Sequence, residues 1–237
     1  MRRLSGSLCA VLLGLTLVGC SSGNNAETSG SVVTGALRQL ISNRGEDAAP
    51  PKITATRAEL EAAGLGAQPL LVVRMPDIGS ESGFFLLDER DGVQSWQSGD
   101  NLATLQIRTK GPIVNSTGLG YDLYGADVAP VEAALLRGQD TEYGRRYRHL
   151  AKDLTTLQER LVYCTLEDQG VQTIEVFQRT HRTRAYLERC AAPDPHPDGR
   201  PFAFENRYWK GVSDDIIWVS EQWMSQDLGT VRTERVF

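Results

Sequence analysis

Phe84-Phe85-Leu86-Leu87-Asp88-Glu89-Arg90-Asp91-Gly92-Val93-Gln94-Ser95-Trp96-Gln97 sets the architecture of this chain. Two strand-like runs flank an Asp-Gly pair. Both residues tolerate positive φ, and a two-residue turn of that handedness matches the right-handed twist of the flanking strands, so the stretch reads as a β-hairpin. On its N-terminal side, Leu70 to Met75 is a continuous apolar run. On its C-terminal side, Leu102 to Thr109, the turn Lys110-Gly111 and Ile113 to Thr117 read as a second hairpin.

The second half has the same texture. Val171 to Arg179 and Thr183 to Cys190 read as strands, with Gln169-Gly170 as the turn before them. Phe202 to Trp209, a turn over Gly211 to Asp215, Ile216 to Trp223, and Gly229 to Val236 complete the series. Tyr147 to Cys164 fits either a helix or two strands. Helical periodicity is confined to short pieces. These are Val32 to Asn43, ended by Gly45; a helix from Thr56 with capping-box spacing to Glu59, ended by Gly64; and Asp127 to Leu136, ended by Gly138. Short strands with few helices to cross between parallel neighbours predict a mainly β fold: an antiparallel sandwich or a partly open barrel with a few short flanking helices.

The N-terminus carries targeting information. Arg2 and Arg3 precede an apolar stretch, Leu8 to Val18, of about eleven residues, too short for the roughly 30 Å core of a bilayer. It ends in Leu17-Val18-Gly19-Cys20, which resembles the bacterial lipobox, and Ser21 to Asn25 is polar. The division expected is a lipoprotein signal peptide at 1–19, a lipidated flexible tether at 20–31 and a single β-rich periplasmic domain at 32–237. Cys20 is the expected lipidation site. Acyl chains contribute roughly 0.8 kcal/mol per buried methylene, so the membrane is an expected partner through this anchor. Ser21 after the cysteine resembles the outer-membrane sorting class, so the expected location is the outer membrane, facing the periplasm.

Without residues 1–19, about 218 residues remain, enough for one sizeable core. With Arg2 and Arg3 gone, 23 basic residues face 30 acidic ones. That balance argues against a nucleic-acid partner. Cys9 leaves with the signal and Cys20 takes the lipid, which leaves Cys164 and Cys190 in an oxidising compartment. A disulfide between them is the favoured reading, with two buried thiols or a metal pair as alternatives. His149, His181 and His196 are scattered and no CxxC or HxxxH spacing exists, so neither metal nor cofactor is expected.

No catalytic constellation stands out, and the chain is not expected to be an enzyme. There is no GxSxG; Ser98 reads as a turn residue. Asp214-Asp215 could be imagined as paired carboxylates for glycoside hydrolysis, but adjacent residues point apart in a strand and are solvated in a turn. Tyr208, Trp209, Trp218 and Trp223 fall on one apparent hairpin and are candidates for binding a glycan or a partner, against the alternative that they pack the core. Arg145, Arg146 and Arg148 form a basic run that could meet anionic polysaccharide or lipid headgroups, with a solvated face as the favoured reading.

Two stretches carry a family resemblance: Lys110-Gly111-Pro112-Ile113-Val114-Asn115-Ser116-Thr117-Gly118-Leu119-Gly120-Tyr121-Asp122-Leu123, and Asn206-Arg207-Tyr208-Trp209 followed by Ile217-Trp218-Val219-Ser220-Glu221-Gln222. With the lipobox and the cysteine pair, they resemble the YjbF/GfcB lipoproteins of group four capsule and related exopolysaccharide operons. The sequence departs from that pattern at Pro112, where a longer polar residue is expected. The resemblance implies a mostly antiparallel β domain and a non-enzymatic role in capsule or exopolysaccharide secretion. It also implies partners that include an outer-membrane β-barrel, other polysaccharide-export proteins and the polysaccharide itself. It implies no catalytic residues. A lipid- or glycan-carrying module is the second expectation and a glycan-active enzyme the third.

Overall fold

The computed structural model describes residues 53–138, 140–150, 155–195 and 199–237. The signal peptide, Cys20, the tether and the helix expected over Val32 to Asn43 lie outside the described residues.

Twelve strands form one antiparallel sheet. They are β1 (Leu70–Met75), β2 (Ser80–Arg90), β3 (Val93–Ser98), β4 (Thr104–Arg108), β5 (Ile113–Thr117), β6 (Leu123–Ala126), β7 (Thr141–Leu150), β8 (Leu157–Val176), β9 (Arg179–Ala191), β10 (Ala203–Gly211), β11 (Ile217–Ser225) and β12 (Gly229–Arg235). Their order is β5-β4-β3-β2-β1-β12-β11-β10-β9-β8-β7-β6. Each strand neighbours its sequence neighbour, and the pairing of β1 with β12 joins the two meanders. The end strands β5 and β6 lie side by side, and side chains bridge them. Asn115 Nδ2 donates to the Tyr124 carbonyl at 3.0 Å, and Leu123 N–H donates to Ser116 Oγ at 2.9 Å. The result is a nearly closed barrel, the second of the two expected architectures.

The hairpin at Asp91-Gly92 forms as its chemistry requires, with φ of 52° and 71° and Arg90 opposite Val93. The run Leu70 to Met75 does not alternate because both faces of β1 are covered. Leu71, Val73 and Met75 join the interior with Phe84, Trp96 and Val231. Leu70 and Val72 pack outside under helix α1 (Arg57–Ala62) with Leu60, Leu65 and Phe85. The capping box is present: Thr56 Oγ1 accepts from Glu59 N–H, and a Glu59 carboxylate oxygen accepts from Thr56 N–H. Helix α2 (Ala129–Arg137) ends at Gly138 with φ 64° and lays Val131, Ala134 and Leu135 against Tyr186, Tyr208 and Ile217.

Of Tyr147 to Cys164, residues 147–150 and 157–164 are strand, so the described part takes the two-strand reading. The turn expected at Gln169-Gly170 is instead a bulge inside β8, where the register with β9 shifts between Asp168 and Val171. Asp168 Oδ1 accepts the Gly170 N–H there, so the local Asp-x-Gly chemistry bends a strand without ending it. The true turn is Phe177-Gln178, with φ of 46° and 58°. Tertiary packing holds it: Phe177 packs on the outer cluster, its carbonyl accepts from Arg57 Nε at 3.2 Å, and Gln178 Oε1 accepts from Arg57 N–H at 2.8 Å. Three strands separate β9 from β1 in the sheet, about 19 Å at the usual strand spacing. The tip of the β8–β9 hairpin therefore crosses the outside of the barrel as an arm.

A belt of alternating charge rings the same outer face. It runs from Glu81 through Arg74, Glu234, Arg232, Glu221, Arg207, Glu205 and Arg189 to Glu167, each paired with the next across strands β2, β1, β12, β11, β10, β9 and β8.

Candidate functional site

The barrel interior is not uniformly apolar. Tyr143, Arg145 and Tyr147 share the inward parity of β7; Glu188 points in from β9, Asn206 and Tyr208 from β10, Gln222 from β11. Glu188 is fully buried and accepts four hydrogen bonds. Oε1 takes Tyr143 Oη–H at 2.9 Å and Arg145 Nη1–H at 2.8 Å; Oε2 takes Asn206 Nδ2–H at 2.6 Å and Tyr208 Oη–H at 3.1 Å. Arg145 also donates to the Tyr147 hydroxyl. Burial, the largest single influence, pulls the Arg145 pKa down, but Glu188 together with Tyr208 and Tyr143 outweighs it and holds the guanidinium above its ordinary value. Burial, then the Glu188 charge, pushes the Tyr143 and Tyr208 hydroxyls well up, so both remain protonated donors. Gln222 extends the network, accepting from Ile113 N–H and donating to the Gly111 carbonyl and Ser220 Oγ, all at 2.9 Å.

Cys164 and Cys190 face each other across β8 and β9 as a disulfide, Cα atoms 4.1 Å apart. Their sulfurs and a Glu188 oxygen lie within 4.8 Å of one another. A disulfide carries no thiolate, and Glu188 is already saturated by protein donors, so this group does not fit a metal.

The four marked aromatics do lie on the β10–β11 hairpin but not on one surface. Tyr208 is enclosed in the interior. Trp223 sits at one end of the barrel, stacked on Phe204 at 4.6 Å and edge-on to Tyr147 and Phe202. With Arg200, Pro201 and Gln226 it lines a cleft of about 220 Å³. Trp209 is on the outer face, its Nε1–H donating to Gln172 Oε1 at 3.3 Å and its ring 5.9 Å from the Arg232 guanidinium. Trp218 lies at the opposite end from Trp223. Its ring sits 3.7 Å from that of His181, and its Nε1–H donates to Asp214 Oδ2 at 3.3 Å. It lines a groove of about 250 Å³ between the arm and the β10–β11 turn with Arg179, His181, Arg182, Ser213 and Asp214.

Asp214 and Asp215 do not act as a pair. Asp214 Oδ1 accepts the Ile216 N–H at 3.1 Å, and Asp215 meets Lys210 Nζ at 3.0 Å, which lowers its pKa. The basic run splits by parity: Arg146 and Arg148 are exposed, whereas Arg145 is the buried partner of Glu188, a correction to the solvated face expected for all three.

A family model described as "Group 4 capsule polysaccharide lipoprotein gfcB, YjbF" matches residues 36–236. The chain belongs to the YjbF/GfcB family. The crystal structure of the lipoprotein YmcC from Escherichia coli K12 has a similar fold, with a TM-score of 0.66 at 15% identity over 77% of this chain and 89% of that one. No curated protein matches the chain by sequence. Membership in a lipoprotein family points to the cell envelope. Among the described residues, no helix is long and apolar enough to cross a membrane.

Sequence reading missed the interior of this YjbF-family barrel. The signal was present: Tyr143, Arg145, Tyr147 and His149 alternate with Glu142, Gly144, Arg146 and Arg148, so Arg145 shares its face with aromatics. Glu188 likewise alternates in step with Tyr186 and Cys190. His181 was read only as a metal candidate; its contact with Trp218 joins two hairpins and has no local signature.

Proposed function

We propose that this YjbF-family protein is a non-enzymatic, membrane-anchored accessory of capsule or exopolysaccharide export, held through a lipid on Cys20 and working through its outer surface. The observation that carries the reading is the state of Glu188. A general acid or base must reach a substrate proton, and a nucleophile must offer a lone pair to a cleft. Glu188 directs both oxygens at four internal donors and is sealed from solvent. Trp96, Tyr147, Tyr186 and Tyr208 are fully buried, so large side chains occupy the interior that a carried lipid would need.

The lipobox supports processing at Cys20, and Ser21 supports outer-membrane sorting with the domain facing the periplasm. An anchor raises local concentration, so a weak surface contact suffices for a partner held in the same membrane. A polysaccharide-export β-barrel fits that description. The test is complementation of a deletion strain. Wild-type protein restores secreted polysaccharide, and Cys20→Ser, which folds but stays unanchored, does not. Normal polysaccharide output in the deletion strain, or full rescue by the Cys20→Ser variant, overturns the reading.

A further inference from the structure

The groove between the arm and the β10–β11 turn has a composition its fold role does not explain. Arg179 and Arg182 are exposed, and neither guanidinium has a protein partner among the described residues. This is unlike the outer belt, where Arg74, Arg189, Arg207 and Arg232 each meet a carboxylate. Between the two arginines in sequence, His181 is 8% exposed, and its Nε2 has no hydrogen-bond partner. The half-exposed Trp218 ring closes one side. Its position depends on Gly211, where a Cβ would stand 3.0 Å from the indole nitrogen and 1.8 Å from Asp214 Oδ1. The cations act on the groove: after burial, Arg179 and Arg57 are what hold the His181 pKa down, against Asp214.

We propose that this groove binds an acidic sugar unit of a polysaccharide, a pyranose bearing a carboxylate. Two guanidiniums against one carboxylate leave a net positive groove that attracts an anion, and Arg forks match carboxylate geometry. An indole edge and face offer apolar surface to the C–H face of a sugar ring. Asp214 repels the ligand carboxylate, which turns it toward Arg179 and Arg182. The ring hydroxyls then face Ser213, with the unpartnered His181 nitrogen buried behind the groove wall. A volume of about 250 Å³ is just under the roughly 300 Å³ lower bound of drug-sized pockets, so it suits one ring of a longer chain. The proposal rests on the export role only for the source of the sugar; the binding itself is tested without it.

The experiment uses the full mature chain in detergent and follows tryptophan emission during titration. The probes are a hyaluronan hexasaccharide, a neutral maltohexaose, sodium phosphate, and vesicles of phosphatidylglycerol in phosphatidylcholine. Expected is saturable binding of the acidic hexasaccharide, at least tenfold tighter than the neutral one. Arg179→Gln with Arg182→Gln weakens it at least tenfold without changing the melting temperature, both side chains being exposed. Trp218→Phe keeps the ring packing and weakens binding less than Trp218→Ala; if the alanine variant does not fold, the arginine pair decides. Equal affinity for acidic and neutral sugars, no binding of the acidic one, or an unaffected arginine double variant overturns the proposal. Arginine-dependent binding of the vesicles alone overturns it in favour of a lipid headgroup, and of phosphate alone in favour of a simple anion site. A deletion strain that makes normal polysaccharide, with hexasaccharide binding intact, would refute the export role and leave the groove standing.

Discussion

Replacing Glu188 with Gln removes one charge from the barrel interior and almost no volume. Arg145 then stays protonated, 1% exposed, with no counter-ion. Removing one partner of a buried ion pair costs about 3–5 kcal/mol, because the other charge stays desolvated. The amide also places an N–H₂ where an oxygen stood. If the nitrogen replaces Oε2 it faces the Asn206 amide and the Tyr208 hydroxyl, both donors; if it replaces Oε1 it faces Arg145 and Tyr143. One orphaned buried donor adds about 1–3 kcal/mol, partly offset by rotating a tyrosine hydroxyl into an acceptor role. The expected loss is about 4 kcal/mol, or a fall in melting temperature of about 8–16 °C for a domain of this size. Urea and thermal unfolding by circular dichroism, under oxidising conditions, measure it. Arg145→Met combined with Glu188→Gln should lose less than Glu188→Gln alone, since no unpaired charge remains. A loss below about 1 kcal/mol for Glu188→Gln, or a double variant worse than both singles, refutes the reasoning.

Three further outcomes are expected. Replacing both Cys164 and Cys190 with Ala frees a loop of about 27 residues in the unfolded chain and should lower stability by about 3.5 kcal/mol in urea; an unchanged midpoint would show that the unfolded chain gains no freedom there. Gly111→Ala places a Cβ 2.3 Å from Ile217 Cγ1 at φ 109°, and should cost about 2–4 kcal/mol. Gly170→Ala, with φ 81° and open space, should cost only about 1 kcal/mol of backbone strain, so equal losses would contradict the packing described. His181 has a folded pKa below the ordinary value of about 6.5, through burial and then Arg179 and Arg57. The neutral imidazole is thus favoured by folding. Its contribution is complete above about pH 6.5 and is lost as pH falls through the folded value. Urea midpoints between pH 5 and 7.5 should fall more steeply for wild type than for His181→Gln, and parallel curves would count against this.

Much of the barrel was legible because local chemistry and tertiary environment agree. Asp91-Gly92 forms the turn its residues favour, and Thr56 to Glu59 forms its capping box. Phe177-Gln178 was not legible, because neither residue announces a turn; the contacts that hold it come from Arg57, far away in sequence. Gln169-Gly170 misled for the converse reason: a turn-like pair can be absorbed as a bulge when strands on both sides stay paired. The candidate site split the same way. That four aromatics share one hairpin follows from their spacing. Which of them face solvent depends on a register shift between Trp209 and Lys210 and on Asn206 Oδ1 capturing the Trp223 N–H, neither written in the local sequence.

The belt of paired arginines and glutamates has a consequence for how these seven strands can meet a lipid phase. A bilayer-spanning barrel presents an apolar band outward, and an arginine on that band at mid-depth costs about 2–4 kcal/mol. Here Arg74, Arg189, Arg207 and Arg232 alternate with glutamates along the outward face, while the largest apolar cluster lines the lumen. The inside-out distribution needed for immersion is absent from these strands. Immersing this face would strip water from each of those ion pairs at once.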